Sequence, residues 1–267
     1  MLSPRLADPI FDTIRPFLEK LPQDRWPTHA ELNALARAVT TADGLPLRFA
    51  PPAPEDTRRF AHYELRIAKT GEVETRPESW HDLFNALQWI AFPRTKARIN
   101  AQHAAILVDG GDAEARHRSP PRDALTLFDE GGVIVASSAP DLLRLVSDFE
   151  WKALFWERRA DVLARMRFIP FGHGLHEQAL APYIGMVAKT VFVPVSDFFF
   201  MLSPESQREE ADRMVAAHFE SRTRFASAKA LAPLPVLGVP GWHRDAQGEA
   251  FYDIASYFRS KPRGANL

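Results

Sequence analysis

The residues able to do chemistry fall into four blocks: His81, Asp82 and Asn85; Asn100 and His103; Asp123, Thr126, Asp129 and Glu130; and His173, His176 and Glu177. Imidazole and carboxylate groups hold first-row metals such as zinc, manganese or iron, and they also move protons near neutral pH. On a helix, the i, i+3, i+4 spacing of the last block is expected to set both imidazoles and the carboxylate on one side. That block is not His-Glu-x-x-His, and no block is a complete site by itself, so a site must be gathered from several. His81 and Asp82, adjacent on a helix, point about 100° apart, which argues against Asp82 as the direct partner of His81.

Each block also has a plain structural reading. His81, Asp82 and Asn85 suit a buried hydrogen-bond network that keeps two helices in register. His173 suits a helix start, with Glu177 solvated or locally paired. Asp129 and Glu130 precede Gly131-Gly132 and suit an ordinary solvated turn, while Arg122 and Asp123 suit a local ion pair. The basic group Arg94, Lys96, Arg98, Arg116, Arg118 and Arg122 could hold a phosphate, but without a glycine-rich phosphate loop a solvated face is the expectation. Gly-x-Ser-x-Gly, Walker-type and dinucleotide glycine patterns are absent from the sequence. So is cysteine, which excludes disulfides, thiolate nucleophiles and cysteine-based zinc sites.

The central positioning element is the helix predicted from Trp80 to Pro93. Trp80, Leu83, Phe84, Leu87, Ile90 and Ala91 share one broad apolar face, with Ser79 as N-cap. His81, Asn85 and Gln88 form a second stripe at i, i+4, i+7, flanked by Trp89 and Phe92 and therefore expected out of solvent. Earlier, residues 9–20 read as a short amphipathic helix interrupted by Pro16, and Thr28 with Glu31 reads as a capping box opening a second one. Residues 63–67 and 73–76 alternate about a Lys69-Thr70-Gly71-Glu72 turn, so a β-hairpin is expected there.

A helix over 95–107 would put Lys96, Asn100 and His103 on one side, and 109–121 reads as a loop. Residues 122–136 read as strand, turn, strand, placing Asp129 and Glu130 at a hairpin end. Helices over 139–146 and 150–166 follow, the latter with Trp151, Leu154, Phe155, Val162 and Leu163 inward. Residues 167–171 read as extended, 172–180 as a helix start and 188–195 as a strand. The longest helix is expected over 205–229, with Met214, Val215, Ala217, Phe219 and Phe225 buried. Residues 234–242 are too rich in proline for a helix, and the aromatics of 251–258 would dock that strip.

The chain has 267 residues, 46% hydrophobic and 25% charged, enough to bury a sizeable core without staples. A net charge of -1 gives no strong nucleic-acid signal and no pull toward acidic membranes. There is no apolar run of transmembrane length, and the first 20 residues lack the apolar core of a signal peptide, so a cytoplasmic protein is expected. With no βαβ alternation, repeat or long linker, the fold class is α+β: a mainly helical single domain over 1–267 with two β-hairpins or a small antiparallel sheet.

Four blocks stand together in order: WHDLFNALQWIAFPRTKARINAQH at 80–103, RDALTLFDEGGVIV at 122–135, FGHGLHEQAL at 171–180, and LPVLGVPGW followed by FYDIASYFR. With them the chain closely resembles the bacterial domain-of-unknown-function family 3025, over nearly its whole length. The resemblance implies a bacterial single-domain protein and supplies no reaction. It also implies that the position of His176 is often aromatic, which weakens a role for that imidazole.

From the residues alone, the leading expectation is a hydrolase of small molecules or phosphoesters, with a divalent metal as its candidate cofactor. His81, His103, Asp129, His173 and Glu177 are the catalytic candidates, and Asn85, Arg122 and Asp123 the ligand-binding ones. The alternative is a non-catalytic binding or scaffold protein in which the same residues form a buried network and an aromatic-rich surface meets a partner. The oligomeric state is not legible.

Overall fold

The computed structural model describes residues 4–52, 62–220 and 226–262. The chain opens with 3-10 turns at Pro4–Ala7 and Pro9–Phe11 and a short helix α1 (Arg15–Leu18). Pro9 and Pro16 each start a new turn, so the helix expected over 9–20 is broken into pieces. Ile10, Phe11, Ile14, Leu18 and Leu21 are buried all the same. Helix α2 (His29–Leu35) begins with the expected capping box: the Thr28 hydroxyl accepts from the Glu31 N–H, and the Glu31 carboxylate accepts from the Thr28 N–H.

The first expected hairpin does not form. Strand β1 (Arg48–Ala50) leads to helix α3 (Tyr63–Thr70) and strand β2 (Glu72–Glu74), and β1 pairs β2 in parallel. The alternation over 63–67 misleads because α3 lies on the surface and buries only Ile67. Gly71, the supposed turn, caps α3 in the left-handed region at φ 72°, where a β-carbon would also strike the Pro46 carbonyl.

Helix α4 (Trp80–Ala91) starts at Ser79, whose hydroxyl accepts from the Asp82 N–H at 3.3 Å, and it is buried from Asp82 to Ala91. Pro93 does not merely close it: the ring sits at the first position of α5 (Pro93–Arg116), the longest helix described. The 109–121 loop is mostly helix, because α5 continues across a kink at Gly111. Ser119-Pro120 then opens α6 (Pro120–Gly131), where a strand and a hairpin end were expected. Ala124, Leu125 and Phe128 are its buried residues, a helical spacing that competes with the period of two in the same segment.

Strand β3 (Gly132–Ser137) is buried throughout. Helix α7 (Pro140–Asp148), a π-helical turn (Ala153–Glu157) and helix α8 (Arg159–Arg165) follow. Leu163 on α8 is 54% exposed rather than inward. Then come β4 (Met166–Pro170), α9 (His173–Ala179), β5 (Val187–Pro194), α10 (Pro204–His218) and β6 (Ala232–Pro235). Helix α10 has 15 residues against 24 in α5, so the expected longest helix over 205–229 is a correction; Val215 and Phe219 are buried, Ala217 is exposed and Phe225 lies outside the described residues.

The larger sheet runs β4-β3-β5-β6, with β3 parallel to β5 and the outer pairs antiparallel. The apolar β-branched run of β3 fits a central strand covered on both faces. The proline-rich tail is held by the aromatics as expected: Tyr252 donates to the Gly238 carbonyl at 3.0 Å and the Tyr257 hydroxyl accepts from the Leu237 N–H at 2.9 Å. The fold is α+β and mainly helical, but two small sheets replace the hairpins. Among the described residues, no helix is long and apolar enough to cross a membrane.

Candidate metal centre

Helices α3, α4, α5, α6 and α9 surround a cavity of about 500 Å³. On α5, the i, i+4, i+7 spacing carries Lys96, Asn100 and His103 to one side, as read from sequence. On α6, Arg122, Thr126, Asp129 and Glu130 line the cavity at helical spacing. Asp129 and Glu130 are therefore carried by the end of a helix, not by a hairpin.

The start of α9 lies directly on the end of α6, and the Gly172-His173-Gly174 sequence explains how. A β-carbon at 172 would collide with the Glu130 carbonyl and the Gly132 N–H, and one at 174 would fall 2.7 Å from the Glu130 carboxylate. Glycines on both sides let the backbone approach and so deliver His173 to Glu130.

Lys96 is only 4% exposed, so it does not belong to a solvated basic face. Its ammonium donates to both Asp129 oxygens at 2.7 and 2.9 Å and to Asn85 Oδ1 at 2.9 Å, while Asn85 Nδ2 contacts the Tyr63 hydroxyl at 2.9 Å. Asn85 thus closes a network joining α3, α4, α5 and α6. Burial works against the ionised form of Asp129, but the charge and hydrogen bonds of Lys96 outweigh it and hold the carboxyl below its ordinary range.

His81 and His173 meet edge-on, with ring centroids 4.6 Å apart. His81 Nδ1 lies 2.8 Å from Glu177 Oε2, which leaves Nε2 free of that bond. His173 Nδ1 is 3.7 Å from Asp129, beyond a hydrogen bond, and is buried without a partner, while its Nε2 is 3.5 Å from Glu130. Burial pushes the His173 pKa down to about 3, with Lys96 and His81 adding to burial and Asp129 opposing it, so the ring is neutral at pH 7. Burial raises Glu130, with the Asp129 charge in the same direction and His81 against it.

Donor atoms of His81, Glu130 and His173 all lie within 4.8 Å of one another. Zinc ligands with bonds of about 2.0–2.1 Å sit roughly 3.3 Å apart, so small side-chain rotations would close this set on one cation. Two imidazoles and a carboxylate, with another carboxylate near the Nδ1 of each ring, is a donor set suited to zinc or a similar divalent ion.

The remaining residues separate into cavity and core. His103 lines the cavity, is buried, has an unpartnered Nδ1, and is held below its ordinary pKa by burial. Arg122 lines it as well and pairs with Glu114 at 3.2 Å. Asp123 does not line it, because one residue beyond Arg122 the helix has turned away. Asp82 binds Arg76 at 2.9 Å rather than His81, and Asn100 is committed to Glu64 on α3 at 2.6 Å. Of the expected stripe on α4, Asn85 and Gln88 are buried and His81 is about one-third exposed at the cavity edge.

His176 departs from its block. Its ring packs 5.6 Å from Phe11 and 5.8 Å from Phe84, with Nδ1 2.9 Å from the Gly172 carbonyl and 3.1 Å from the Gln88 amide. Residues 173 and 177 differ by about 40° around a helix, whereas 176 is about 100° from 177, so one face cannot hold all three. Of the basic group, Arg118 and Arg122 line this cavity while Arg94 and Arg98 line a separate depression beside α10. The sequence reading left Glu130 out of its candidate site residues, giving it to a solvated turn, and missed Tyr63 and Glu64, which looked like strand, and the structural part of Lys96, whose spacing with Asn100 and His103 was the available signal.

The family described as Protein of unknown function (DUF3025) matches residues 47–262 of the chain. No curated protein and no solved structure matches it.

Proposed function

The chain belongs to the DUF3025 family, whose description fixes no reaction, and from the site we propose a metal-dependent hydrolase of a small-molecule ester. The observation that carries this reading is the convergence of His81, Glu130 and His173 from three helices, each imidazole having a carboxylate beside its Nδ1. These three would hold a divalent metal. Glu177 accepts the His81 Nδ1 proton and aims the other nitrogen inward; Asp129, kept ionised by Lys96, does the same for His173 after a small closing movement. A divalent ion held there would supply Lewis-acid chemistry and would lower the pKa of a water. Hydrolysis adds the oxygen of one water to the ester centre, breaks the bond to the leaving oxygen and returns a proton to it. His103, on the same cavity wall, is the proton carrier for that oxygen.

The test is metal content and binding. Purified protein is stripped with chelator and titrated with zinc, manganese and iron(II), following Tm and bound metal. The expected result is one ion per chain and a higher Tm, since a ligand held only by the folded state stabilises it. His173→Ala and Glu130→Gln should weaken binding by roughly 100-fold or more, and Glu177→Gln by roughly 10–100-fold. No metal retention and no Tm response in the wild type would overturn the reading. The scaffold alternative would then lead, because the Tyr63–Asn85–Lys96–Asp129 network is complete without any ligand.

A further inference from the structure

We propose that His103, Arg118 and Arg122 form a phosphoryl subsite in this cavity, so that the substrate is a phosphoester. The inference rests on the hydrolase reading for its catalytic meaning, but the binding it asserts does not need the metal. All three residues line the cavity, from α5, from the α5–α6 connection and from the first turn of α6. The positive charges of Arg122 and Arg118 both act on the His103 ring.

The argument is one of unmet donors. His103 is 3% exposed and its Nδ1 has no hydrogen-bond partner; Arg122 Nε is buried and has none either. Arg118 is exposed and makes no ion pair among the described residues. A guanidinium N–H left unpaired out of water is costly, and its neighbours cannot supply the acceptor. The acids of the same wall are turned elsewhere: Asp82 to Arg76, Glu74 to Arg66, Glu64 to Asn100, Asp129 to Lys96 and Glu130 to His173, while Glu114 meets Arg122 through Nη1 and leaves Nε without an acceptor. An acceptor entering the cavity would satisfy both groups. With the His103 proton on Nδ1, three donors from three positions suit a tetrahedral dianion, which offers an oxygen to each; a planar carboxylate has only two. A phosphoryl group here would share its cavity with the His81–Glu130–His173 set, the arrangement metal-assisted phosphoester hydrolysis requires.

The experiment uses the full chain and inorganic phosphate, titrated calorimetrically in chelator and again with the metal present. In chelator, wild type should bind phosphate, and Arg118→Gln and His103→Gln should each weaken it by 10-fold or more. His173→Ala should still bind phosphate in chelator, which separates this subsite from the metal reading. Arg118 is exposed, so its variant is expected to fold, and unchanged metal binding in Arg118→Gln would verify that the cavity is intact. Phosphate binding without metal binding would sustain the subsite and sink the metal. The subsite is overturned by metal binding without phosphate binding, by equal phosphate affinity in Arg118→Gln and wild type, or by acetate binding as tightly as phosphate.

Discussion

Helices α4 and α9 meet along one seam, and the two histidines that α9 brings to it end in different surroundings. His176 is sealed between Phe11 and Phe84, beside the Gln88 amide and the Gly172 carbonyl. His173 lies one turn earlier, against His81, Asp129 and Glu130 at the cavity wall. Burial does not distinguish them, at 0% and 4% exposed, and burial lowers both, to about 4 and about 3. What differs is the company of the ring nitrogens. Aromatic faces and a backbone carbonyl make a histidine structural; carboxylates and an open cavity make it a candidate ligand. A lowered imidazole pKa is therefore no marker of function by itself in this molecule.

The cavity end differs from the core end most sharply in holding a buried charge pair, and that difference sets the largest expected effect. Lys96→Met would strand the Asp129 carboxylate, which has Lys96 as its hydrogen-bonded cation. Breaking a buried pair on one side costs about 3–5 kcal/mol. Urea denaturation of the variant should show such a loss, and Lys96→Met combined with Asp129→Asn should recover part of it. A cost under about 1 kcal/mol would mean that the cavity end is solvated like any surface, and the contrast would fail.

At the core end the sharper probe is pH. His176 has a folded pKa of about 4, below the ordinary 6.5. The unfolded chain therefore binds a proton that the folded chain refuses, so stability rises with pH between those values and is lost as pH falls from about 6.5 towards about 4. The folded-state depression corresponds to at most roughly 3 kcal/mol by the time pH is below both values. His173 contributes in the same direction over a window reaching down to about 3. In His176→Phe, which keeps a ring between Phe11 and Phe84, unfolding curves from pH 7 to 4 should be flatter while metal binding is unchanged. An unaltered slope would show that His176 is not held neutral by its surroundings.

Where helical periodicity and capping agreed, the elements were legible: α2 from Thr28 and Glu31, α4 from its apolar face and Ser79, α5 from the Lys96, Asn100, His103 side. The two hairpins that did not form have one physical origin. Over 63–67 and 122–129 short apolar alternations satisfy a strand and a helix equally, and tertiary packing decides. At α6 the deciding clue was present in Ser119-Pro120, because proline is favoured at a first helical position. The parallel β1–β2 pair, three residues a side, left too little pattern to read. The meeting of the polar blocks could be guessed as residue types but not as geometry. Which of His173 and His176 faces the cavity depends on how α9 rotates against α6, and that is fixed by close backbone contact at Gly172 and Gly174.

The smallest effect is expected at Asp123, and it sharpens the comparison by its absence. Asp123 sits on the same helix as Arg122, Thr126, Asp129 and Glu130, yet it alone of these does not line the cavity. Its place in the first turn of α6 lets its charge favour the helix N-terminus, an effect of about 0.3–1 kcal/mol that salt screens. Asp123→Asn should therefore lower stability by no more than about 0.5 kcal/mol at moderate salt, and less as salt is raised. Metal affinity should stay within twofold of wild type, and so should phosphate affinity. This variant changes one charge on the element that carries the proposed ligand Glu130, so it controls for any general response of α6. If Asp123→Asn weakened metal or phosphate binding as strongly as Glu130→Gln or Arg118→Gln, then position on the helix would not govern function. The division of this helix into a cavity face and a packing face would then have to be abandoned.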